Sequence, residues 1–241
     1  MNIFNIHLEF NREKLYHAID KRIAEKEAGY VCVCDSSVLT RTHNEPAYRD
    51  VVNGAFVNSC DGSSVCAMAH RLYGGKLESV NGPEIFSKYT RQSLKQVILG
   101  NTEEIVQKVR KMLRDKGVSD DHIHHIDLPF CRVDDFDYKE ISMQIKEMDY
   151  DIIWVSLGNP KQEIFMSKML PYLNKGVMFG IGAALNFCVG DLSMPKFHVG
   201  SLRFIWLTRL FEDPIRQIKM NWAILKAFPG IYREEKRHLK K

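Results

Sequence analysis

No stretch of the 241-residue chain is apolar enough to span a bilayer, and Met1 to Phe10 lacks a basic segment followed by a continuous apolar run. The expectation is a cytoplasmic protein with neither a transmembrane anchor nor an export signal. A disulfide framework is missing too. The six cysteines, at 32, 34, 60, 66, 131 and 188, are scattered, and most stand in apolar segments where a thiol behaves as a small hydrophobe, so reduced thiols are expected. There is no internal repeat, no low-complexity linker and no clear boundary before about residue 195, which favours one large domain. The Gly-x4-Gly-Lys-Ser/Thr pattern is absent, which excludes that phosphate loop. Gly180-Ile181-Gly182-Ala183-Ala184 falls short of a dinucleotide fingerprint, because Leu185 stands where the last Gly or Ala belongs.

What is present is a chain of 45% apolar and 27% charged residues, enough to bury a large core. Apolar runs at Tyr30–Cys34, Gln96–Leu99, Ile152–Leu157 and Val177–Ile181 read as strands and alternate with helical stripes. Ile105, Val106, Val109, Met112 and Leu113 form one stripe, opened by Asn101 or Thr102 and closed by Gly117. Ile164, Phe165, Met169, Leu170 and Leu173 form another, with Pro160 suited to its first turn. The pattern predicts an α/β fold, a Rossmann-like, mostly parallel sheet with flanking helices over residues 1–195. Residues 196–241 read as a basic helical appendage. Leu202, Ile205, Trp206 and Leu210 suggest one helix, and Ile215, Ile218, Trp222 and Leu225 the apolar face of a second. From residue 201 onward ten Lys or Arg face four acids, although the whole chain is only +4. An anionic partner follows, either a membrane surface or nucleic acid.

In open parallel sheets ligands bind beyond the carboxyl ends of strands, so the loops there are the places to search. Asn58–Ser64 contains Asp61, which can accept a proton from a substrate hydroxyl, and Gly62, which permits close approach; a helix cap and turn is the plainer reading. Gly158-Asn159-Pro160-Lys161-Gln162-Glu163 combines a glycine, a helix N-terminus, a cation and an amide able to donate and accept. It is otherwise an ordinary turn with a solvated Lys and Glu. Gly180, Gly182 and Ala183 offer backbone to a nucleotide diphosphate. Asp135-Phe136-Asp137 has divalent-ion spacing but reads better as acids in a first helical turn. His122, His124, His125 and Asp127 read as a polar strand or loop rather than a metal site, and Cys32 and Cys34 as core. No metal is expected.

Taken in order, Asn53–Gly62, Gly82, Ile152–Glu163, Val177–Gly190, Trp206-Leu207-x-Arg209-Leu210 and Asp213-Pro214-x-Arg216 resemble the WecG/TagA/CpsF family of glycosyltransferases. Leu157–Glu163 resembles the family's "LGxPKQE" loop, and Phe179–Phe187 its "GVGxxFDF" segment. The resemblance implies inverting transfer of a sugar, of N-acetylmannosamine or hexose type, from a UDP-sugar to a polyprenyl-diphosphate-linked sugar. It implies no cofactor, and a peripheral location on the inner face of the cell membrane. It makes Asp61 the general base and Gln162 a donor or acceptor contact. Arg209 and Arg216 match arginines that the appendage can contribute to the site. Gly158, Pro160, Lys161, Gly180, Gly182, Ala183, Asn186, Asp35 and Gly82 then face the sugar nucleotide. Four positions depart from the pattern. Val33-Cys34-Asp35 replaces Thr-x-Asn, Ser79 replaces an Arg, Asn186 replaces Asp, and Ser193–Phe197 replaces "RAPKW", which points to a divergent polysaccharide branch. Nucleic acid is not expected as a partner, and a homo-oligomer is left open. The competing readings are an α/β enzyme of another class, a dehydrogenase or methyltransferase, and a non-catalytic module that binds through its tail.

Overall fold

The computed structural model describes residues 1–182, 184–189, 198–199, 202–203 and 214–240. The chain opens with a small antiparallel hairpin, β1 (Asn2–Ile3) and β2 (Ile6–His7), followed by α1 (Arg12–Ala24). Next come β3 (Gly29–Cys34), α2 (Ser36–Asn44), α3 (Pro46–Asn53), β4 (Val57–Cys60), α4 (Ser63–Tyr73) and α5 (Gly82–Tyr89). Three strand-helix units follow: β5 (Gln96–Leu99) with α6 (Glu103–Asp115), β6 (Ile123–Ile126) with α7 (Tyr138–Met148), and β7 (Ile152–Val155) with α8 (Lys161–Met169). Then come β8 (Val177–Gly180), α9 (Ala184–Cys188), the paired strands β9 (His198–Val199) and β10 (Leu202–Arg203), and α10 (Pro214–His238).

β3 to β8 form one parallel sheet in the order β4-β3-β8-β7-β5-β6. Every residue of β3, β4, β5, β7 and β8 is buried, because helices cover both faces and leave no wet side to alternate with. The two-residue period of the strands divides the core. Val31, Ile98, Trp154 and Phe179 face α1, α5, α6 and α9, whereas Cys32, Cys34, Leu99, Val155 and Met178 face α2, α3, α7 and α8. Trp154, Phe165 and Phe179 are fully buried, each contributing roughly 2–3 kcal/mol of transfer free energy. The Trp154 indole is satisfied, since Nε1 donates to Gln96 Oε1 at 2.8 Å and Gln96 Nε2 donates to Tyr89 O at 2.8 Å.

The expected α/β architecture is the observed one. The strands leading into the glycine loops end earlier than expected, at Val155 and Gly180, where backbone with φ of 75° at Gly158 and 46° at Gly182 turns the chain out of the sheet. Thr102 caps α6 through a hydrogen bond from the Ile105 amide, and Gly117 follows that helix at φ 69°. Leu202 corrects one expectation: it pairs with Val199 in an antiparallel ladder and so does not begin a helix. Ile205, Trp206 and Leu210 lie outside the described residues. The second expected helix is α10. Its Ile215, Ile218, Trp222 and Leu225 are 60–68% exposed, while Ala227, Ile231 and Glu235 are buried against the body.

Candidate active site

α6 leaves β5 toward β6, while α8 leaves β7 toward β8. β5 and β7 are neighbours, so the winding reverses between them, and doubly wound sheets bind ligands beyond the carboxyl ends of the strands at such a point. Three loops meet there. Asn101, held at φ 67°, donates from Nδ2 to Ser156 Oγ at 3.1 Å and to Asn186 Oδ1 at 3.5 Å. Ser156 Oγ in turn donates to Gly182 O at 2.9 Å. The ends of β5, β7 and β8 are thereby joined by side chains, where three separate loops would otherwise be free to part.

Gln162, in the first turn of α8, is 5% exposed and packs against the glycines of the neighbouring loop. Its Oε1 accepts from Gly158 N at 3.2 Å, and its Nε2 donates to Glu163 Oε1 at 2.8 Å. A β-carbon at Gly180 would lie 3.1 Å from Gln162 Nε2, and one at Gly182 would lie 3.0 Å from Oε1. The glycines are therefore required by the amide they pack on as well as by any ligand. This geometry brings Gly158, Gln162, Gly180 and Gly182 together.

Glu163 corrects the expectation of a solvated acid: it is 0% exposed. Burial pushes its carboxyl up to about 7, although Gln162 and the adjacent Tyr48 phenol favour the ionised form. Tyr48 accepts from Asn159 Nδ2 at 3.0 Å, which ties α3 to the loop. Lys161 turns aside. Its ammonium donates to Cys131 O at 2.6 Å and lies 4.7 Å from the centre of the Phe136 ring, beside the loop that carries the fully exposed Phe130.

Asp61 follows β4 directly, with its amide donating to Cys34 O at 2.9 Å. Gly62, at φ 108°, starts α4. The surrounding loop is braced by Ser36 Oγ against Ser64 Oγ at 2.7 Å and by Val80 N donating to Cys60 O at 2.9 Å. The second of these bonds brings the buried Gly82, first residue of α5, to the Asp61 side. β3 alone separates β4 from β8, so the strand carrying Asp61 is about 10 Å from that carrying Gly180, which leaves room for a sugar ring. Asp35, expected to face a nucleotide, spends Oδ1 on the amides of Ser37 and Val38 as the cap of α2. Pro160 precedes α8 as its cap residue instead of standing in its first turn. Ala183 and Arg209 lie outside the described residues, as does the side chain of Arg216.

The metal-like segments are engaged elsewhere. Asp137 caps α7 by accepting from Glu140 N at 2.9 Å. His124 Nδ1 meets Tyr150 OH at 2.7 Å, and His125 Nδ1 meets Glu103 at 2.8 Å. Among the described residues no three His, Cys, Asp or Glu side chains are grouped to hold a metal ion. Sequence reasoning missed Asn101, Ser156, Tyr48 and Glu163. The one available signal was a Glu beside a Gln at the start of a helix whose inner face is apolar.

An open parallel sheet with glycine loops, a buried amide and an acid at the carboxyl ends of its strands defines a doubly wound α/β fold. The sequence profile of the glycosyl transferase WecG/TagA/CpsF family matches residues 1–241, and the chain belongs to that family. It is similar to N-acetylglucosaminyldiphosphoundecaprenol N-acetyl-beta-D-mannosaminyltransferase of Staphylococcus aureus strain MW2, with 23% identity over 191 residues, 76% of this chain and 72% of that protein. The same enzyme from strain MRSA252 is 22% identical over the same shares.

Proposed function

We propose that the protein transfers a sugar from a UDP-sugar to a polyprenyl-diphosphate-linked sugar with inversion, using Asp61 as general base. The observation that carries this reading is the meeting of Gly158, Gln162, Gly180 and Gly182 around one amide, with Asp61 at the same end of the sheet, in a chain of this family. The acceptor hydroxyl oxygen forms the new bond to the anomeric carbon while the bond from that carbon to the UDP oxygen breaks. Asp61 takes the hydroxyl proton, and the departing diphosphate keeps the electron pair. In-line displacement of this kind inverts the centre and needs no covalent intermediate on the protein. Backbone amides near Gly158 and Gly182 and the N-terminus of α8 suit the diphosphate. Arg209 and Arg216 are assigned the same task.

The acceptor class rests on the activity of the relatives, and α10 suits it. Ile215, Ile218, Trp222 and Leu225 line one exposed stripe with Lys219 and Lys226 nearby, the pattern of a helix lying in a membrane interface. No helix of the described residues is long and apolar enough to cross a membrane. We place the enzyme peripherally, on the cytoplasmic face. UDP-sugars screened by thermal shift are expected to raise the melting temperature by mass action. Asp61→Asn is expected to keep the fold and the nucleotide binding but lose transfer by about 100-fold or more. A silent screen would overturn the donor class, and near-normal transfer by Asp61→Asn would overturn the base.

A further inference from the structure

Transfer as proposed leaves the buried carboxyl of Glu163 without a task. Glu163 is fully buried one residue beyond Gln162; its Oε1 accepts from Gln162 Nε2 at 2.8 Å, and its Oε2, near the Tyr48 phenol, makes no well-formed hydrogen bond among the described residues. A side-chain amide is nearly symmetric in shape, so its orientation is set by what its two ends meet. Gly158 N demands an acceptor at one end of Gln162, and the Glu163 carboxyl demands a donor at the other. Both demands select the same orientation, leaving one amide hydrogen and one lone pair of Gln162 for a ligand. The groups facing the carboxyl are Cys32 and Cys34 of β3, Tyr48 of α3 and Asp35 at the start of α2. None of these carries a positive charge. An ionised Glu163 is therefore held by hydrogen bonding alone, beside a site assigned to an anionic diphosphate.

We propose that Glu163 is the positioning residue of the donor site, fixing the Gln162 amide, and that binding of the donor diphosphate draws a proton onto its carboxyl. The inference rests on the UDP-sugar reading above. Two anions in a low-dielectric site raise each other's proton affinity, and the carboxyl oxygen not engaged by Gln162, beside the Tyr48 phenol, is the one to take the proton. Its ordinary range has already been pushed up to about 7 by burial, so the uptake falls at physiological pH. The consequence is that the donor binds more tightly on the acid side of neutrality.

The test is titration calorimetry with UDP on the full chain, at pH 6 and 8 and in buffers of different ionisation enthalpy at pH 7.5. Wild-type protein is expected to take up protons on binding and to lose about tenfold in affinity between pH 6 and 8. UDP carries its own titrating phosphate, so Glu163→Gln serves as the reference. The neutral variant is expected to show only the ligand's contribution, and Glu163→Asp, too short to reach Gln162, to bind weakly at every pH. Should Glu163→Gln fail to fold, the wild-type titration is repeated with UDP-N-acetylglucosamine, whose diphosphate diester does not titrate near neutrality, so that any proton uptake belongs to the protein. UDP binding with no proton uptake, or the same uptake in Glu163→Gln, overturns the inference and leaves the donor reading standing. Absence of UDP binding at every pH overturns the donor reading itself.

Discussion

Replacing Gly180 with alanine tests whether Gln162 is the pivot of the donor site. Gly180 ends β8 with a backbone that any residue can adopt, so the cost arises from contact alone. The new methyl would sit 2.8 Å from Met166 Cε, 3.1 Å from Gln162 Nε2 and 3.3 Å from Gln162 Cδ. The methionine end is flexible and gives way. The amide is pinned by Gly158 and Glu163, so it moves only by breaking one of those bonds and leaving a buried polar atom unpaired, at a cost of about 1–3 kcal/mol. For a domain of this size that lowers the melting temperature by roughly 2–10 °C. With Gln162 in the donor site as proposed, UDP affinity is expected to fall about tenfold. Gly117→Ala is the control. Gly117 lies just beyond α6 at φ 69° with nothing within 4 Å of a β-carbon, so alanine there costs about 1–2 kcal/mol in backbone strain and leaves UDP affinity unchanged. Unaltered UDP affinity in Gly180→Ala, measured beside that control, would refute the placement of Gln162 in the donor site.

Stability should fall with rising pH where Glu163 titrates. Its folded carboxyl is raised, so between about 4.5 and 7 the native state binds more protons than the unfolded chain, and roughly 3 kcal/mol present below that window is lost through it. Urea midpoints at pH 5 and 8 for wild type and Glu163→Gln isolate this contribution, because the lowered carboxyls of Glu103, Asp134 and Asp149 are common to both proteins. On the outer stripe, Ile218→Asp with Trp222→Asp is expected to weaken flotation with phosphatidylglycerol vesicles by tenfold or more. The same pair should leave the melting temperature within about 2 °C, since both side chains are 60% exposed; unchanged flotation would exclude the stripe as the docking face.

The parts of the fold legible in the sequence are those where burial acts on consecutive residues. Gln96–Leu99 is a strand at the expected bounds, and the loops after Val155 and Gly180 were marked by their glycines. β4 and β6 were harder to see because polar residues stand in them. Asn58 is buried in β4, and its Nδ2 finds His7 O and Val52 O, acceptors 51 and 6 residues away that no local pattern announces. β6 carries His124 and His125, which read as a polar strand or loop; the strand is the observed form, with Tyr150 and Glu103 meeting the two imidazoles. At the candidate site, residue type and spacing point to Gln162 and the glycines, which the fold brings into contact. Glu163 was hidden for the opposite reason: a Glu in a first helical turn is ordinarily wet, and only the packing of α8 against β3 and α3 makes it dry.

Helix α10 has two halves with different dependencies. Glu235 accepts from the Phe4 amide at 2.7 Å and from the Tyr73 hydroxyl, while Ala227 and Ile231 enter the core beside α2. The last turns of the chain thus hold down its first hairpin. Cutting away the tail to study membrane attachment would also unpin the N-terminus and expose part of the core. Loss of activity in such a truncation would say little about lipid; attachment and catalysis separate only through single substitutions on the outer stripe, with everything from Ala227 onward left intact.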